Sequence, residues 1–144
     1  MSAMEPLYSL MGISTCKLSK KELLLLEAKL FTCICEEFKE MFRNQHRDYF
    51  HLMKFTIEQE NIMLEINFIR LIIKDILSTE EYTLAGIAYY TDTHEDIVQE
   101  VFSGRNTNPS AKLLRRIIEL HYSIRRDLYK AMMKKIAIHY LAIV

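Results

Sequence analysis

His94, Glu95, Gln99 and Ser103, with part of Asp96 and Glu100, fall on the outer side of a helical period whose inner side is Val98, Val101 and Phe102. Their chemistry is hydrogen bonding. A carboxylate in such a row can accept a hydrogen bond from a cytosine amino group, and one good base contact discriminates by about 1–3 kcal/mol. The same acids also suit the first turn of a helix, where the macrodipole favours Glu95 and Asp96 by about 0.3–1 kcal/mol each. Glu100 lies too far along for that.

Residue types for catalysis are present without the spacing it needs. There is no glycine-rich phosphate loop, His-Glu-x-x-His run or nucleophile elbow, and His46, His51, His94, His121 and His139 lack metal-ligand spacing. Cys33 and Cys35 are two residues apart in a helical run, so they point to different faces and cannot share a metal. With Cys16 they read as reduced, mostly buried thiols of a cytoplasmic protein. The expectation is a non-enzyme with no metal and no cofactor.

The elements that must carry the 94–103 row are helices. Half of the 144 residues are apolar, and three glycines with two prolines are too few for a strand-rich fold. Net charge is zero, but residues 61–110 hold three Lys/Arg against eight Asp/Glu and residues 111–144 hold eight against two. An acidic middle precedes a basic end. The longest apolar runs are far short of a bilayer span, so no stable membrane insertion is expected.

Ser19-Lys20-Lys21-Glu22 is a capping box, and Leu23, Leu26, Leu30, Ile34, Phe38 and Met41 continue it as a helix to about Arg43. A second period from His46 to Leu77 fits one long helix, or two with a kink near Glu58 to Glu60. Thr83 is an N-cap for a helix from Leu84, whose Ile87 and Ala88 face inward. Asp92 tolerates the left-handed turn that follows, and Thr93 to Asp96 resembles a capping box. Gly104 ends that helix, and Asn108-Pro109 caps the next, which carries Leu113, Leu114, Ile117, Ile118 and Leu120.

From about Glu65 to His121 this pattern resembles the Xre/Cro family of phage-repressor-like helix-turn-helix domains. Ile87-Ala88, Val98, Val101, Gly104-Arg105 and Asn108-Pro109-Ser110 stand at the family's spacing. The resemblance implies a bacterial or phage transcription regulator that binds double-stranded DNA as a dimer. It makes the helix from Thr93 or His94 to Ser103 the recognition helix. His94, Glu95, Asp96 and Gln99 would face bases, while Thr83, Arg105, Asn106, Asn108, Lys112 and Arg115 would lie near phosphates. Family members usually carry neutral or cationic side chains on this helix, so Glu95, Asp96 and Glu100 depart from the pattern. A protein-interaction module with the same fold, meeting a basic partner protein, is the alternative.

Ile124, Leu128, Met132, Ile136 and Tyr140 recur at helical spacing beyond the core, beside Arg125, Arg126, Lys130, Lys134 and Lys135. So apolar a segment must be covered, by the N-terminal helices or by a second copy, and it is the expected homodimer interface. The expected organisation is an all-α, repressor-like core at 63–121, N-terminal helices at 19–62, an extension at 1–18 and a C-terminal helix at 122–144.

Overall fold

Ser19 opens the first long helix through both bonds of its capping box. The Glu22 N–H donates to Ser19 Oγ at 3.1 Å, and the Ser19 N–H donates to Glu22 Oε1 at 3.4 Å. The computed structural model, which describes residues 5–10, 12, 14 and 16–138, is 78% helical and all-α, with no strand among the described residues. Its helices are α1 Glu5–Leu10, α2 Lys20–Gln45, α3 Arg47–Leu52, α4 Ile57–Ser78, α5 Leu84–Thr91, α6 Glu95–Phe102, α7 Ala111–Ile124 and α8 Arg126–Ile136. They divide into two compact units. One joins the described residues up to Phe38 to those from Arg125 onward, and the other is Lys39–Ile124. Of the two covers expected for the C-terminal segment, the N-terminal helices are the ones that share its unit.

In Lys39–Ile124 the long second period is two helices, broken earlier than Glu58. Thr56 starts α4 with a second capping box, in which Gln59 N–H donates to Thr56 Oγ1 at 3.2 Å and Thr56 N–H to Gln59 Oε1 at 2.9 Å. The core gathers Ile72, Ile73 and Ile76 of α4, Ile87 of α5, Val98 of α6 and Ile117 with Ile118 of α7, all fully buried. α4 packs on α6 and α7, and α5 packs on both of those as well. His121, fully buried in α7, bonds Asp75 Oδ2 of α4 through Nε2 at 2.7 Å. A buried imidazole needs such a partner.

In the other unit α8 lies against α1. Phe38 of α2 meets Tyr129 edge-on at 5.4 Å between ring centroids, and Lys135 Nζ pairs with Glu37 Oε2 at 2.9 Å. Met132 and Ile136 are 7% and 0% exposed within the single chain. That corrects their assignment to a dimer interface, because intramolecular packing already covers them. Ile124 and Leu128 are half-buried, and Tyr140 lies outside the described residues, as does His139. Cys33 is buried, and desolvation raises its thiol pKa. Cys16, contrary to expectation, is exposed.

Candidate nucleic-acid interface

The local chemistry of residues 83–95 builds a tight corner between two helices. Thr83 Oγ1 accepts the Gly86 N–H at 3.1 Å, which caps α5 as predicted. At the other end Asp92 takes the left-handed conformation, φ 52° and ψ 47°. The Thr93 N–H then reaches back to the Ala88 carbonyl at 3.0 Å and the Asp92 N–H to Tyr89 at 3.3 Å. These are the two bonds of a Schellman motif, which satisfies carbonyls the helix end would otherwise leave open. Asp, short and polar, does here what glycine does more cheaply.

The start of α6 differs from the expected capping box. Thr93 is not the cap: its hydroxyl donates to the Thr91 carbonyl at 3.1 Å. His94 occupies the N-cap, and its Nδ1 accepts the Asp96 N–H at 3.2 Å. An imidazole can accept there only through an unprotonated nitrogen. Val98 and Val101 point into the core, leaving His94, Glu95, Asp96, Gln99 and Glu100 exposed. His94 and Asp96 side chains are 73% and 76% exposed, and Asp92 is 90% exposed. Gln99 turns along the helix to donate to Glu95 Oε1 at 3.3 Å.

Beyond α6, Gly104 adopts φ 83°, which favours glycine, as its predicted C-terminal role requires. Asn106 Oδ1 accepts the Asn108 N–H at 3.0 Å, so these residues shape the loop themselves. Asn108 does not cap the next helix. Ser110 does, with its Oγ accepting the Leu113 N–H at 3.1 Å. Thr93, Ile97, Asn106, Pro109 and Lys112 line one open groove of about 230 Å³ beside the turn, which brings the loop and the start of α6 together. The chain matches no family model, no curated protein and no solved structure.

The cations divide into two groups. Arg105 is exposed, its Nε donating to Ser103 Oγ at 3.1 Å, and Lys112 is exposed beside the groove. Arg115, partly exposed, pairs with Glu119 along α7, Nε to Oε1 at 3.4 Å. Arg116 donates from Nη1 to the Thr91 carbonyl at 2.8 Å and lies 3.9 Å from Asp92 Oδ2. It therefore clamps α7 to the corner between α5 and α6. Sequence reasoning missed this, since the partner is 25 residues away. It also missed Arg70, whose Nη1 lies 3.7 Å from where a Cβ on Gly104 would stand.

Proposed function

We propose that α5, the Asp92 turn and α6 form a DNA-binding helix-turn-helix, and that the chain regulates transcription by binding duplex DNA as a pair of copies. The observation that supports this best is the α6 face itself. A Schellman corner sets the start of the helix, its Val98 and Val101 are taken up by the core, and His94, Glu95, Asp96 and Gln99 stand outward from the N-terminal turns that would enter a major groove. Thr83 at the start of α5 and the Arg105 and Lys112 side chains after α6 supply the flanking phosphate contacts. With Arg115 paired to Glu119 and Arg116 to the Thr91 carbonyl, each chain offers about two unpaired cations. Counterion release then gives a slope of log K against log salt of about −2 per chain, or about −4 for two.

Fluorescence anisotropy with a labelled random duplex at low salt tests this reading. Retention that falls with added salt at that slope, and weakens in the Arg105→Ala/Lys112→Ala double variant, supports it. No retention, or no effect of the double variant, sinks it. A second reading has its own observation, the exposed carboxylates of Asp92, Glu95, Asp96 and Glu100, which suit a basic protein surface. A chain that ignores duplex but binds an Arg-rich peptide, and loses that binding when Glu95, Asp96 and Glu100 become amides, would favour it.

A further inference from the structure

A cavity of about 460 Å³ opens between α3, α4 and the end of α6. That is within the usual range for a small-molecule site. Its floor is apolar: Phe50 and Leu64 are buried there, and Phe102 of α6 closes one side. Its polar wall holds His46, Tyr49 and Asn67 together with two cations. Arg70 and Lys74, one turn apart on α4, both line it and are exposed, and neither makes a hydrogen bond or ion pair among the described residues. Like charges at that spacing repel each other by a few tenths of a kcal/mol in water, and no carboxylate lines the cavity to relieve them. The neighbouring cavity of about 550 Å³ differs on this point, since its Arg43 is paired with Glu60 at 2.8 Å.

From this combination we infer that the α3–α4–α6 cavity binds a small amphipathic carboxylate, with its anion between Arg70 and Lys74 and its hydrocarbon body over Phe50, Leu64 and Phe102. A carboxylate matches the guanidinium fork and a neighbouring ammonium, and burying its body adds a transfer gain that a bare anion lacks. The site touches the proposed recognition helix directly, through Phe102, and the following loop through Arg70 beside Gly104.

Decanoate, kept below its micelle concentration, is the probe, with acetate and decanol as partners that lack the body or the charge. Calorimetry and amide shift mapping on the full chain should show one saturable site per chain, with shifts at residues 63–74 and 102–104. Decanoate should bind at least tenfold more tightly than acetate or decanol. In the Arg70→Met/Lys74→Met variant, whose positions are exposed, affinity should fall at least tenfold while the unfolding midpoint does not fall. Equal binding of acetate would mean surface ion pairing only, and equal binding of decanol would mean apolar partition only. Either result, shifts confined to other residues, or no saturable binding at all would overturn the proposal.

Discussion

Two pairs of cations sit on helices of the same unit and do opposite things. On α7, Arg116 donates to the Thr91 carbonyl and so holds the corner from which α6 departs, while Arg115 pairs along its own helix with Glu119. On α4, Arg70 and Lys74 face an open cavity and bond to nothing among the described residues. The difference is a matter of what lies within reach. A helix end presents carbonyls with no internal partner, and Arg116 is placed to take one; the α4 pair lines a cavity that holds no carboxylate. A basic count along a chain therefore overstates the charge available to a polyanion.

Substitutions can break or sharpen that contrast. The largest effect is expected at Arg116→Met, which removes a charged hydrogen bond from a helix terminus; urea unfolding should show a loss of about 2 kcal/mol. A loss below about 0.5 kcal/mol would mean the clamp is idle. Asp92→Gly should act in the opposite direction and stabilise by up to about 1 kcal/mol, because glycine adopts the left-handed conformation without a Cβ penalty. Destabilisation would instead show that the carboxylate's approach to Arg116 outweighs the backbone cost. Arg115→Met should cost about 0.5 kcal/mol, the scale of a partly exposed pair one turn apart on a helix. Smallest of all, Arg70→Met and Lys74→Met should each shift stability by no more than a few tenths, toward stabilisation, since each relieves a like-charge neighbour. If either costs as much as Arg116→Met, the α4 cations are structural and the contrast fails.

What could be read from the sequence was mostly what is settled within four residues. Ser19 and Glu22, Thr83 and Gly86, the tolerance of Asp92 for its turn, and Gly104 all act on their own neighbours, and each behaves as its residue type requires. Caps with several local candidates were harder. Thr93 and His94 compete for one N-cap, Asn108 and Ser110 for another, and the choice depends on where the chain direction changes rather than on the side chain. Thr56 with Gln59 is a complete capping box that the strong period from His46 to Leu77 hid. The period also hid the break between α3 and α4. Long-range outcomes were not legible at all. Met132 and Ile136 have the spacing of an interface, but spacing does not say whether the covering surface comes from the same chain. For the same reason the outward row of α6 and the cations Arg105 and Lys112 beside it were readable, whereas the Arg116 bond to the Thr91 carbonyl was not.

The most direct test of the central claim, that the outer face of α6 reads DNA, is selection of bound fragments from a random duplex pool, done in parallel with the wild-type chain and Glu95→Gln. The account predicts enrichment of a site with two half-sites about one helical turn apart, and an altered preference at one base of each half-site in the variant. No enrichment with the wild-type chain, or an identical site from both proteins, would contradict it.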